Sequence, residues 1–253
     1  MTIRTPLRIQ DYNFPENDFL FYFRGLYRDR GFKAFYQFLN RPHRRPTTRK
    51  LLVRFAPVGI GLEVGVGART VAPVRRTILS DGFHAHGQDN SVAKVFFRAD
   101  EIPYAEGTFS FVLSEHMLEH STNPIKVLKE WIRVLSPGGV IFVVLPHRDR
   151  GSDRFRERTT LSHLIEDYEK NISDADESHL PDWNENVVKK GILPNHYLHL
   201  SEAEWIKSGS LHHHVWVAAD IIELFGWLGL EVVHSEDVLH DRRDSFLVVG
   251  RKQ

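Results

Sequence analysis

The chain has no cysteine and only two methionines. Without thiols it can form neither disulfides nor thiolate metal sites, and its redox compartment leaves no mark. It also lacks net charge: 33 Lys and Arg balance 33 Asp and Glu. That balance excludes a protein whose whole surface is a nucleic-acid footprint. Long apolar runs are missing. The longest unbroken aliphatic or aromatic stretch is Val140–Leu145, far too short to span a bilayer, and the N-terminus carries no apolar signal core. The expectation is a cytoplasmic protein without membrane insertion. No internal repeat or low-complexity segment interrupts it.

What is present is uneven. Residues 1–58 hold twelve Lys and Arg against four Asp and Glu, an excess of eight positive charges that the remainder offsets. Aromatic residues crowd the same segment, from Phe19 to Phe38, with spacing that predicts two short helices broken at Gly31. Arg41–Lys50 reads as a basic, proline-punctuated connector, either solvated or an anion-binding rim. Histidine is frequent, at 15, which brings acid/base roles near neutral pH into view. At 253 residues the chain can bury one large core with an appendage.

From residue 59 strand and helix patterns alternate. Strands are predicted at Gly59–Val64, Arg76–Leu79, Ala93–Phe97, Phe109–Leu113 and Val140–Leu145. A helix is predicted at Pro124–Val134, capped by Asn123, with Ile125, Leu128 and Ile132 on one face. Ser136-Pro-Gly-Gly139 stops it. Residues 147–215 break the rhythm with a polar, His-rich excursion containing a helix at Thr160–Lys170. A helix at Ala218–Trp227 and strands at Leu230–His234 and Ser245–Gly250 follow. The alternation implies a parallel sheet covered by helices.

The most informative stretch is Gly59-Ile-Gly-Leu-Glu-Val-Gly-Val-Gly67. It reads as a strand running into a glycine turn, with Glu63 placed before Gly65 and Gly67. Glycine permits the sharp turn and the close approach of a ligand. A dinucleotide fingerprint needs a third glycine, and Thr70 or Val64 stands there instead. Three further strands end in polar residues: Ser80-Asp81, Asp100-Glu101 and Ser114-Glu115-His116. In an open α/β sheet, ligands bind at such strand ends. His116-Met-Leu-Glu-His120 matches the H-x-x-E-H metalloprotease pattern, but no long helix is available to carry it. His212-His-His214 lacks cysteine and a clear third ligand, so no metal is expected.

Glu63-Val-Gly-Val-Gly67, Phe109-Ser-Phe-Val-Leu-Ser-Glu-His-Met-Leu-Glu-His120 and Leu128-Lys-Glu-Trp-Ile-Arg-Val-Leu-Ser-Pro-Gly-Gly139 resemble the successive motifs of class I S-adenosylmethionine-dependent methyltransferases with a type 11-like domain. The resemblance implies a Rossmann-like α/β fold with a mostly parallel seven-stranded sheet, helices on both faces and a final antiparallel strand. It implies an N-terminal helical cap outside the family domain (1–58), a methyltransferase domain (59–253) and a lid or acceptor-binding insertion (147–215). The cofactor implied is S-adenosyl-L-methionine. Glu63, Gly65 and Gly67 would line its methionine and ribose side, Asp81 would take the ribose hydroxyls, and Asp100 with Glu101 would face the adenine amine. Glu115 and His116 would flank the reaction centre. Many members carry a third glycine where this chain has Arg69. Arg158–Tyr168 and His212–Trp216 further resemble methyltransferases of glycan and polysaccharide modification.

Methyl transfer to an oxygen needs positioning and removal of a proton, and histidine is the natural base. His116, His147 and His214 are the candidates; in an extended segment His212 and His214 share a face. The expected acceptor is a small molecule or glycan. Two alternatives stand beside it: an RNA methyltransferase that uses the basic N-terminal segment, and a non-catalytic scaffold on the same fold.

Overall fold

The computed structural model describes residues 6–18, 20, 21, 24, 27, 45–82, 91–193, 201, 204 and 211–253. The helix break expected at Gly31 lies outside them. An open seven-stranded sheet forms the centre. Its strands are β1 (Gly61–Val64), β2 (Thr77–Asp81), β3 (Val95–Phe96), β4 (Phe109–Glu115), β5 (Leu135–Pro146), β6 (Leu230–Glu236) and β7 (Ser245–Lys252). The spatial order is β3-β2-β1-β4-β5-β7-β6. β1 to β5 run parallel, and β7 is inserted antiparallel between β5 and β6. The order reverses between β1 and β4, which places the ligand crevice of such a sheet at their carboxyl ends.

Period-2 alternation fills both faces of the sheet. Ile141, Val143 and Leu145 of β5 join Phe246 and Val248 of β7 on one face. Val140, Phe142 and Val144 join Leu247 and Val249 on the other. The first face is covered by α2 (Pro124–Val134), α3 (Leu161–Glu169) and α5 (Ala218–Trp227), through buried Leu128, Trp131, Leu164, Ile221 and Phe225. The second is covered by α1 (Pro46–Phe55) through Leu52 and Ala56.

Two expectations are corrected here. Residues 46–50 of the expected connector are helical, because Pro46 opens α1: its fixed φ suits the first helical turn, where no N–H partner is needed. The helix stops at Val134 as expected, but β5 starts at Leu135 rather than Val140, and Ser136–Gly139 is a bulge inside it. Phe109 pairs with Leu135 and Phe111 with Val140, so the chain loops out between them. Gly138 takes φ +75° there. The same irregularity sends Phe109 and Phe111 into opposite cores although they stand two apart.

α2 matches its expected bounds. Asn123 Oδ1 accepts from the Lys126 N–H at 3.0 Å, and Lys252 Nζ donates to the Ile132 and Leu135 carbonyls at the other end. The described part of the 147–215 segment holds α3, the short helix α4 (Leu180–Trp183), a π turn over Asn184–Val188 and a small core of Trp183, Val187 and Leu211. No helix among the described residues is long and apolar enough to cross a membrane.

Candidate active site at the carboxyl edge of the sheet

Glu63 and Glu115 end the two central strands on either side of the order reversal. Glu63 is 1 % exposed. Its Oε2 accepts from the Thr70 hydroxyl, which in turn accepts from the Ala72 N–H at 2.8 Å. Thr70 thus closes the turn, and Arg69 is exposed at the surface. Glu63 Oε1 and Glu115 Oε1 are buried without a hydrogen-bond partner among the described residues. Burial, and then the neighbouring Glu115 charge, hold the Glu63 carboxyl well above the usual carboxylate range. Arg45, with left-handed φ +40° before Pro46, reaches in and forms an ion pair with Glu115 Oε2.

Glycine is required at the turn. Gly65 has φ +73°, and a Cβ there would meet Met117 Cγ at 2.5 Å and Cβ at 2.7 Å. Gly67 has φ +55°, and its N–H donates to Asp81 Oδ2 at 3.2 Å. Asp81 also accepts from the Gly82 N–H and the Ser91 hydroxyl, at 3.0 Å each. Three protein donors therefore already sit on this carboxylate, which ties the ends of β1 and β2 together. Asp100 is held by Arg98 at 2.9 Å and Lys126 at 2.9 Å. Burial opposes its charge, but these cations win and keep its pKa low. Glu101 is exposed. The acids at the ends of β1, β2 and β4 converge as expected, whereas Asp100 and Glu101 lie beyond β3.

The three candidate bases separate. His116 follows β4 in a strained left-handed conformation, φ +53°. Its Nε2 lies 2.7 Å from Ser245 Oγ, whose hydroxyl donates to Asp244 Oδ1 at 2.8 Å. Ser245 must then accept, which puts the imidazole proton on Nε2 and leaves the Nδ1 lone pair facing Glu119 Oε1 at 3.7 Å. Burial and then the Arg242 cation hold the His116 pKa well below its ordinary value, so the ring is neutral at pH 7. His147 lines an open cleft with Arg148, Glu157 and Arg158. Both its nitrogens are engaged: Nδ1 accepts from the Asp149 N–H at 3.1 Å, and Nε2 lies 3.4 Å from Asp237. His214 is 1 % exposed and packs against His163 and His179. Its burial is a correction to its candidacy as a base for an entering acceptor.

Sequence reasoning missed the polar array around His116. Glu119 is fully buried, both carboxylate oxygens lack a hydrogen-bond partner among the described residues, and burial raises its pKa to about 7. His120 Nδ1 lies 3.0 Å from the Leu211 carbonyl, and His212 Nδ1 lies 2.7 Å from Asp153. The H-x-x-E-H string was the signal for this array, and it lies on the 3-10 turn Leu118–His120. Thus His212 and His214, one expected face, serve two separate clusters.

Residues 59–143 match the family model described as a methyltransferase domain. That segment, about a third of the chain, is similar to the methyltransferase domain family. It is 31 % identical over 102 residues to an uncharacterized protein of Methanocaldococcus jannaschii, covering 39 % of this chain and 50 % of that one. It is 28 % identical over 147 residues to a tRNA U34 carboxymethyltransferase of Campylobacter curvus, covering 56 % of this chain and 48 % of that one. The chain thus spans about half the length of these curated relatives. A structure from Rhodobacter sphaeroides titled a putative Zn-dependent alcohol dehydrogenase shares the fold, with TM-score 0.52 and 16 % identity over 81 % of this chain and 89 % of that one. The methyltransferase cofactor, S-adenosylmethionine, carries a sulfonium and an ammonium cation. The orphaned oxygens of Glu63 and Glu115 fit such a group, as does the glycine turn that a Cβ would fill.

Proposed function

We propose that this chain methylates an oxygen of a small or glycan-like hydroxylated acceptor, using S-adenosylmethionine. The observation that carries the cofactor assignment is the pair of buried, incompletely satisfied carboxylates, Glu63 and Glu115, beside a glycine turn at the switch point of the sheet. Buried anions of this kind are stabilised by an opposite charge. The bound cofactor supplies an already activated methyl electrophile. The chain's own work is positioning and proton removal, and positioning can contribute roughly 7–11 kcal/mol. Glu63 and Glu115 hold the cationic end. Asp81 fixes the turn and offers its remaining lone-pair capacity to a ribose hydroxyl. His116 Nδ1 accepts the acceptor's hydroxyl proton, and Ser245 with Asp244 keeps the imidazole in the tautomer that can do so. In this reading residues 147–215 hold the acceptor, and the charged cleft beside His147 suits a hydroxyl-rich molecule.

Calorimetric titration with S-adenosylmethionine and S-adenosylhomocysteine, with NAD as control, tests the cofactor. Micromolar binding of the first two alone is expected, weakened about tenfold or more, roughly 1.4 kcal/mol, in Asp81→Ala. Equal binding by Asp81→Ala and Gly65→Arg sinks the assignment. Turnover on hydroxylated sugars and nucleotide-sugars then tests the acceptor.

A second reading, an RNA acceptor, draws on the excess of positive charge in residues 1–58 and on the tRNA-modifying relative. It predicts RNA affinity that falls with salt by about 0.7 per phosphate contact on logarithmic axes. Salt-independent or absent RNA binding removes it.

A further inference from the structure

Four side chains from three separate segments meet within the insertion. His163 and Asp167 stand i and i+4 on one face of α3, His179 precedes α4, and His214 lies in the extended segment before α5. Their ligand atoms all lie within 4.8 Å of one another. His163 Nε2 is 3.0 Å from His179 Nε2 and 3.1 Å from Asp167 Oδ2. His179 Nε2 and His214 Nε2 lie 3.7 and 3.8 Å from the same oxygen. A tetrahedral zinc ion with bonds of about 2.0–2.2 Å requires ligand–ligand edges of roughly 3.3–3.6 Å. The observed separations bracket that value.

A second observation points the same way. Asp167 is 6 % exposed, and its Oδ2, aimed into the group, makes no well-aligned hydrogen bond among the described residues although His163 Nε2 stands 3.1 Å away. A buried carboxylate oxygen left in this state costs free energy unless a cation meets it. Each facing nitrogen can carry the proton of a neutral imidazole, but His163 Nε2 and His179 Nε2, 3.0 Å apart, cannot both do so without repulsion, and a shared metal would satisfy both and the carboxylate at once. His179 Nδ1 lies 3.2 Å from Ser178 Oγ, the outer contact that orients a metal-bound imidazole. His214 Nε2 also lies 3.3 Å from the Thr122 carbonyl, a long contact that a metal bond would replace.

We propose that His163, Asp167, His179 and His214 form a structural binding site for a divalent transition metal, zinc by preference. Nitrogen-rich ligation with one carboxylate selects zinc over calcium or magnesium. Four protein ligands leave no open position, which marks a structural site. The metal joins α3, the chain entering α4 and the 211–216 segment into one body. It thereby fixes the insertion against the start of α2, where Asn123 Nδ2 donates to the Asp167 carbonyl at 3.3 Å.

Untagged protein should carry about one equivalent of zinc by elemental analysis, or take it up on titration after chelation. Cobalt substitution should give the visible bands of a tetrahedral nitrogen–oxygen site. Asp167→Asn and His179→Ala should lose the metal, and chelation should lower the melting temperature of the wild type but not of these variants. His120→Ala and His212→Ala, in the neighbouring array of Glu119, should keep it. If the variants of the first group do not fold, chelation and cobalt spectroscopy of the wild type decide. No uptake of stoichiometric zinc or cobalt overturns the proposal. Loss of metal from His120→Ala or His212→Ala with retention in Asp167→Asn overturns it equally.

Discussion

Arg45 and Glu115 form an ion pair in which the arginine side chain is 15 % exposed and the glutamate 6 %. The guanidinium stands against the same carboxylate that would hold a cationic cofactor, and it also feels Glu63. Removing one partner of a buried pair leaves the other uncompensated, at a cost of about 3–5 kcal/mol.

Arg45→Ala should therefore melt well below wild type without ligand. Because a bound sulfonium or ammonium restores an opposite charge, S-adenosylmethionine should raise its melting temperature by more than it raises that of wild type. Differential scanning fluorimetry with and without cofactor measures both shifts. Equal shifts would mean that the arginine and the cofactor do not share the acidic pair.

Glu63 gives a prediction in pH. Burial, then Glu115, raise its folded pKa well above the ordinary value. The folded chain holds that proton more tightly than the unfolded chain. Stability from this group is fully present below the unfolded pKa, near 4.5, and is lost as pH rises through the raised value. Glu63→Gln should flatten that decline, stabilise the free protein at neutral pH and weaken cofactor binding. Denaturant titrations at several pH values, paired with calorimetry, test it; an unchanged pH slope in the variant counts against it.

His116 should affect rate rather than affinity. His116→Gln is expected to lower kcat by about 100- to 10,000-fold with cofactor binding unchanged. Ser245→Ala, which leaves the imidazole tautomer free, should lower kcat less and alter the pH profile of kcat. A parallel loss of cofactor affinity in both variants would show that they only disturb packing.

At Gly65 two costs can be separated. A side chain at φ +73° costs about 1–2 kcal/mol for backbone conformation alone. The clash with Met117 adds to it. Gly65→Ala should be destabilised by more than that, and Met117→Ala in the same chain should recover only the steric part. Urea melts of the three variants measure the split, and full recovery in the double variant would rule out the conformational cost.

The sheet was legible because its cues are local. Period-2 apolar runs located β4 and β5, Asn123-Pro124 located the start of α2, and Gly65 and Gly67 located the turn. Convergence of Glu63, Asp81 and Glu115 followed from one topological rule. What was not legible is long-range. Nothing adjacent to Arg45 in sequence says that it reaches Glu115, seventy residues on. His163 and Asp167 carry a readable i,i+4 spacing, but their partners His179 and His214 are set by the path of the insertion. Ser136–Gly139 marked the end of α2 but hid the bulge inside β5, because proline and glycine end helices and also interrupt strands.

Glu119 serves two neighbours at once. Its backbone carbonyl accepts the His213 N–H at 2.7 Å, while its carboxylate faces His116. One residue thus bridges the 211–216 segment and the edge of the sheet. A shift of that segment by the width of a hydrogen bond would be felt, through one short stretch of backbone, at the residue three positions from Glu119. Glu119 thus stands as a pivot between the 211–216 segment and His116, the base proposed above.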